Sequence, residues 1–183
     1  LHSYGVCAAD GLQLSSAETA LLVVPMFHVN AWGTPYAGAM SGAKLVLPGP
    51  ALDGKSVYEL MKTERVTLAL GVPTVWLMLF GYVDASGAKP REDLSLTRVV
   101  IGGSAAPRAM TERFETQFGA FVLHGWGMTE MSPLGTVGNL LPKHRGCDLQ
   151  QRLDLQVKQG RSIFGVEMKI VDPAGKELPH DGV

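Results

Sequence analysis

The sequence predicts an α/β fold, a mostly parallel sheet flanked by helices that leads into the start of a β-rich subdomain at its C-terminal end. Three observations support it. Short apolar runs at 20–24, 43–47, 67–70, 98–101 and 121–123 recur along the chain, most of them closed by proline or glycine, as strands buried on both faces do. Stretches with apolar residues at helical spacing lie between them, so strand, helix and strand alternate as in βαβ units with parallel crossovers. Beyond Pro133 the pattern weakens, and the chain reads as an α/β core at 1–138 followed by a linker and the start of a β-rich subdomain at 139–183.

Residues 1–18 alternate small and polar side chains with little period. The run at 20–24 stops at Pro25, and His28, Val29, Asn30 and Trp32 follow just past the expected carboxyl end of a strand, where open α/β sheets bind ligands. Taken alone, a histidine among apolar residues is more often a satisfied core histidine, and a tryptophan more often core than gate. After the second run and Pro48-Gly49-Pro50, Asp53 offers an N-cap to a helix with Val57, Leu60 and Met61 on one face. Pro73 suits the first position of the next helix, and the residues from Val75 to Phe80 make it apolar nearly all round, hence buried as core or tunnel wall. The polar text at 81–93, with Gly87 and Pro90, reads as a surface loop.

The strand at 98–101 is broken by Gly102-Gly103-Ser104-Ala105-Ala106-Pro107, and Pro107 opens a helix with Met110, Phe114 and Phe118 at four-residue spacing, ended by Gly119. A turn stripped of side chains lets a flat ligand lie against its backbone, or simply lets a strand and helix pack closely. The run at 121–123 delivers the chain into a turn, His124-Gly125-Trp126-Gly127-Met128-Thr129-Glu130. Glycines at two alternate positions admit backbone N–H groups to an anion, an aromatic between them can lie on a base, Thr129 can donate to a phosphoryl oxygen, and Glu130 can hold Mg²⁺. A tight turn capped by its own Thr-Glu pair is the alternative. Further on, 140–159 reads as a loop with a short helix, 165–171 as a half-exposed strand, and Asp172-Pro173-Ala174-Gly175 as a hairpin turn.

With 183 residues, 46% of them hydrophobic, the chain can bury a substantial core. Sixteen basic and seventeen acidic residues without a basic run give no nucleic-acid footprint and no polybasic membrane patch. Cys7 and Cys147 lack metal-ligand spacing and fit a reducing compartment. No apolar run is long enough to span a bilayer, so the expectation is a cytoplasmic protein without a transmembrane segment. Leu1 at one end and Asp181-Gly182 just before Val183 at the other give both ends the look of cuts from a longer chain.

Three stretches, PMFHVNAW at 25–32, GGSAAP at 102–107 and HGWGMTE at 124–130, resemble the adenylate-forming superfamily in order and spacing, particularly its fatty-acyl-CoA synthetases. VPTVW at 72–76 and the tail at 160–182 are similar too, so the resemblance covers nearly the whole chain, as a piece of the large amino-terminal domain. It implies an acid-thiol ligase that converts a carboxylic acid and MgATP to an acyl adenylate and then lets coenzyme A displace AMP. By the same resemblance Trp126 stacks on adenine, Thr129 contacts the α-phosphate, and Glu130 coordinates Mg²⁺. Gly103, Ser104, Ala105, Ala106 and Pro107 wall the adenine and ribose slot, and His124, Gly125, Gly127 and Met128 complete the nucleotide motif. His28 orients the carboxylate or shapes the thiol's approach, while Val29 and Trp32 face the acyl chain, Trp32 as the gate of its tunnel. Trp126 departs from the family's usual Tyr, and His124 from its frequent Gln. Similar Trp-containing motifs occur in ligases for methylmercaptopropionate, so a medium- or long-chain fatty acid is the first reading and a short sulfur-containing acid the second. An aryl-acid or amino-acid activating relative and a non-catalytic nucleotide-binding α/β module complete the alternatives, and a homodimer is possible for the full-length protein. The family's phosphate loop, its ribose-binding Thr-Gly-Asp, its hinge and its catalytic Lys are not in these residues.

Overall fold

The computed structural model describes residues 2–179. Seven strands form one sheet in the order β2-β1-β3-β4-β5-β6-β7. β1 (Thr19–Leu22), β2 (Lys44–Val46), β3 (Leu68–Gly71), β4 (Arg98–Ile101) and β5 (Phe121–Gly127) are parallel, with register set by pairs such as Leu22↔Leu70, Leu70↔Val100 and Val100↔Leu123. β6 (Leu134–Val137) and β7 (Arg161–Ser162) extend the sheet antiparallel. The mostly parallel sheet is therefore as predicted. β2 and β3, joined by α4 (Gly54–Glu64), are nonetheless not neighbours, because β1 lies between them.

Period-two alternation divides the strand residues between two cores. Leu21, Ala69, Val99, Ile101 and Val122 enter one, with Val57 and Met61 of α4, Trp76 and Leu79 of α5 (Pro73–Ser86), and Phe114. Leu22, Leu70, Val100 and Leu123 enter the other, closed by Val6 of α1 (His2–Cys7) and Ala37 of α3 (Thr34–Ser41). Burial on both faces is why the strand text is continuously apolar. Asp53 caps α4 by accepting the Ser56 N–H at 3.0 Å. α7 (Arg108–Arg113) runs on into a π-helical turn, Phe114–Phe118, ended by Gly119 at φ 70°. That turn sets Phe114 and Phe118 against Phe80, with ring centroids 4.9 and 5.6 Å away. At the opposite end of the strands from the loops described below, Arg98 pairs with Glu18 at 2.7 Å and donates to the Gln13 carbonyl, so the N-terminal segment is tied to β4 by largely buried charges.

Several expectations need correction. Residues 1–18, read as having little period, contain α1 and the buried Leu12 and Leu14. α5 is not buried all round: Leu77 and Met78 are 60% and 46% exposed, on the side of the helix turned from the sheet. The polar text at 81–93 is not one loop. α5 continues to Ser86, and α6 (Pro90–Asp93) follows, because neither Gly81 nor the polar residues break the ladder before the left-handed Gly87. The turn expected at 124–127 is strand, continuing β5 beyond the parallel sheet to pair with β6. The strand expected at 165–171 is absent among the described residues. Only Val171 bridges, to Glu177 across the predicted hairpin turn, and without a neighbouring strand the rest has no ladder to join. The short helix expected within 140–159 is α8 (Leu149–Gln156). The Asp181-Gly182 signal lies outside the described residues. Among the described residues no helix is long and apolar enough to cross a membrane, and both cysteines are free.

Candidate active site

A cavity of about 320 Å³ opens past the carboxyl ends of β1 and β4, beside the far end of β5. Three segments distant in sequence meet there. β1 supplies His28, Val29 and Trp32, β4 supplies Gly102 and Gly103, and the β5–β6 hairpin supplies Gly125 to Glu130 with Pro133 and Leu134. The buried Leu12, Val100 and Leu134 form its apolar depth, and the exposed His28, Met128, Thr129 and Glu130 stand at its mouth.

The first wall has an unusual backbone. Val29–Trp32 forms a one-turn helical element, α2, in which φ is positive throughout, at 48°, 51°, 47° and 57°, with Gly33 continuing at 71°. It is a left-handed turn. The Gly33 N–H reaches the carbonyls of Val29 and Asn30 at 3.1 and 3.0 Å, and the Thr34 hydroxyl caps the Ala31 carbonyl at 2.6 Å. L-residues in this region meet a Cβ-to-carbonyl clash, and a β-branched Val29 there is an outlier. The turn sets Trp32 against the β4 exit, where a Cβ on Gly102 would lie 3.1 Å from the indole Cη2 and 3.0 Å from the Gly125 carbonyl oxygen. Gly103 needs its own lack of a side chain for a different reason, a φ of +76°.

The second wall is a hairpin with an irregular end. Gly125 and Trp126 pair with Val137 and Thr136, and the register then slips so that Gly127 opposes Leu134. The Met128 N–H donates to the Pro133 carbonyl at 2.9 Å, closing a loop whose tip is the 3₁₀ turn Thr129–Met131. Glu130 and Thr129 are exposed at that tip, and neither side chain takes part in a hydrogen bond or ion pair among the described residues.

His124 lies behind the cavity. It is 1% exposed, and its Nε2 accepts the Ala106 N–H at 3.4 Å, so it holds the small-residue turn to β5. Burial pushes its imidazole below the ordinary histidine value. Since the unfolded ring takes up a proton first as the pH falls, stability is complete above about pH 6.5 and is lost as the pH drops from there through the lower folded value. The melting temperature is expected to fall as the pH drops below about 6.5, and His124→Gln, uncharged throughout, to flatten that decline. An equal decline in both proteins would assign it to other groups.

The cavity thus collects His28, Val29, Trp32, Gly103, Gly125, Trp126, Gly127, Met128, Thr129 and Glu130 from the residues singled out in the sequence. Ser104, Ala105, Ala106, Pro107 and His124 do not line it. Ser104 and Ala105 are exposed beside it, while Ala106 is buried against His124 and Pro107 starts α7. Leu12, Val100, Gly102, Pro133 and Leu134 were not singled out as site residues. Leu134 sits in the short run Leu-Gly-Thr-Val, whose glycine hides its strand character, and Leu12 in text with no pattern to betray it.

Among the described residues, the only titratable side chains on the lining are His28 and Glu130, and the only hydroxyl is that of Thr129. No cysteine, serine or lysine stands there as a nucleophile. Such a site suits a reaction in which bound substrates supply both the attacking and the leaving group and the protein holds them in line. Among the described residues no cluster of three His, Cys, Asp or Glu side chains could form an all-protein metal cage. A lone exposed carboxylate on a cavity wall fits Mg²⁺, which takes one or two carboxylates and completes its shell with phosphate oxygens and water.

The medium-chain-fatty-acid–CoA ligase of Ectopseudomonas oleovorans is 52% identical over 182 residues, which are 100% of this chain and 33% of that protein. The 3-methylmercaptopropionyl-CoA ligase of Ruegeria lacuscaerulensis is 49% identical over 183 residues, again 100% of this chain and 33% of that one. The chain therefore spans about a third of the length of the curated relatives it matches. Among solved structures, a long-chain-fatty-acid-CoA ligase from Archaeoglobus fulgidus superimposes with a TM-score of 0.79 at 21% identity, over 97% of this chain and 34% of that one, a likeness of fold. The sequence model described as AMP-binding enzyme matches residues 2–183. From one end to the other, the chain belongs to the AMP-binding enzyme family.

Proposed function

We propose that this chain is the part of an AMP-forming acyl-CoA ligase that holds adenine, the α-phosphate and the acyl group. The observation that carries the proposal is the convergence on one cavity of an apolar depth, an aromatic between glycines, a hydroxyl and an unengaged carboxylate, with no cysteine, serine or lysine on the lining. In the first step a carboxylate oxygen of the acid attacks the α-phosphorus of ATP and pyrophosphate leaves. In the second the thiol of coenzyme A, losing its proton, attacks the acyl carbonyl and AMP leaves. Trp126 stacks on adenine, and Thr129 donates to an α-phosphoryl oxygen where charge accumulates. His28 orients the carboxylate at the cavity mouth. Glu130 would hold the Mg²⁺ that accompanies ATP, which when bound supplies positive charge beside those oxygens. Gly103 to Pro107, backed by His124, wall the nucleotide, and Val29 and Trp32 border the acyl chain. The same proposal takes residues 139–183 as the lead into a separate β-rich unit and places the complete ligase in the cytoplasm, with a homodimer open to it.

The acid is a medium- or long-chain fatty acid in the first reading. The 49% identity to a methylmercaptopropionyl-CoA ligase supports a short sulfur-containing acid as the second. Pyrophosphate exchange by the complete ligase, run with acids from 3-methylmercaptopropionate through octanoate to palmitate, decides between them. Exchange with none of them would overturn both. Trp32→Ala is expected to change chain-length preference through kcat/KM and to leave KM for ATP within about twofold, since the indole lies against Gly102 rather than the phosphate-facing tip. A lowered melting temperature with an unchanged acid profile would make Trp32 a packing residue.

A further inference from the structure

Gly135 lies in the middle of β6, buried, between Leu134, which opposes Gly127, and Thr136, which opposes Trp126. Its φ is not in the left-handed region, so the backbone conformation there does not itself call for glycine. What excludes a side chain is space. A Cβ on Gly135 would lie 2.8 Å from both Cε3 and Cζ3 of Trp126 and 2.7 Å from the terminal methyl of Met131. The six-membered edge of the indole therefore reaches diagonally across the hairpin and rests on the Gly135 backbone, with the Met131 thioether beside it. Glycine in a strand interior weakens the strand, and its usual reason for being there is the close approach of another group. Here that group is one of the aromatic walls of the cavity.

We propose that Gly135 is a positioning residue for nucleotide binding, the seat that fixes the plane of the Trp126 indole and lets position 126 carry a ring wider than phenol. The proposal rests on the assignment of Trp126 to adenine above. Trp126 is half-buried, with one edge against Gly135 and Met131, and it lines the cavity. Any side chain at 135 must push the indole off that seat and change the face it offers to a base. A narrower phenol ring at 126 does not reach as far sideways, so it should tolerate the added methyl.

The test uses the complete ligase with Gly135→Ala, Trp126→Tyr and the double variant. Two readouts are taken: KM for ATP, acid and coenzyme A, and the indole N–H resonance that vanishes in Trp126→Tyr. Gly135→Ala is expected to move that resonance and to raise KM for ATP about tenfold, as when a base loses part of its stacking on an aromatic, with kcat and KM for the acid changed less than about threefold. In the double variant KM for ATP should return to within about twofold of Trp126→Tyr alone, and this variant relieves the clash should Gly135→Ala fold poorly. An unmoved resonance overturns the seat. A moved resonance with unchanged KM for ATP shows the seat intact and overturns the nucleotide role of Trp126. Parallel losses in all three KM values and in melting temperature, without rescue by tyrosine, would make Gly135 a packing residue and overturn the proposal.

Discussion

Glu130→Gln in the complete protein is expected, on the proposed ligase activity, to lower carboxylate-dependent pyrophosphate exchange by roughly two to three orders of magnitude, the range for losing one electrostatic transition-state contact. The substitution preserves size and most hydrogen-bonding capacity and removes only the charge. Because Glu130 is exposed at the tip of a 3₁₀ turn and bonds to nothing else among the described residues, no folded-state partner is lost with it. The effect should therefore be confined to the step that builds charge on the α-phosphate. Conversion of preformed acyl adenylate to acyl-CoA should suffer far less. Equal losses in both reactions would signal a collapsed fold, and an intact exchange reaction would reduce Glu130 to a turn residue.

Gly127→Ala should be nearly as damaging without touching a polar group. A Cβ at 127 would stand 2.0 Å from the Pro133 carbonyl oxygen and 2.8 Å from its carbon, both backbone atoms that cannot swing away like the end of a side chain. The two arms of the hairpin have to part where the register slips, and the loop carrying Thr129 and Glu130 moves with them. Overpacking of this kind costs about 1–3 kcal/mol, and a displacement of roughly 1 Å at reacting groups can cost on the order of 100-fold in rate. Pyrophosphate exchange and the melting temperature should fall together. Gly146→Ala, where a Cβ meets nothing within 4 Å, is the control expected to change neither. A Gly127→Ala enzyme with ordinary activity would show that the tip's position does not matter to the reaction.

The parallel half of the sheet was legible because its strands are covered on both faces and must be written in continuous apolar text. Thr67 to Leu70 and Arg98 to Ile101 were placed within a residue of the observed strands for that reason. The antiparallel half was not. β6 reads Leu-Gly-Thr-Val, with Gly135 where a strand would ordinarily carry a packing side chain, and β7 has only two residues. Trp126 stands out in the sequence and Gly135 does not, since nothing in linear sequence shows which glycine an indole will rest on. The three motifs did meet at one cavity, because each follows the carboxyl end of a strand or extends one. Leu12 joined them without any signal, its place being fixed by tertiary packing alone. Gly81 misled, since one glycine in an otherwise strong helical run is too small a penalty to end it.

The left-handed turn at Val29–Trp32 bears on how the domain comes together. Each non-glycine residue there costs about 1–2 kcal/mol in local conformational energy. Four in succession amount to roughly 4–8 kcal/mol, comparable with the net stability of a whole domain. No isolated segment with this sequence would wind that way. The turn has to be imposed from outside, by β1 anchored in the sheet on one side and α3 packed against α1 on the other. Its conformational cost is offset only when both anchors are in place. The wall that presents His28 and Trp32 thus exists only once the sheet does, and an incompletely folded chain has half of its cavity missing.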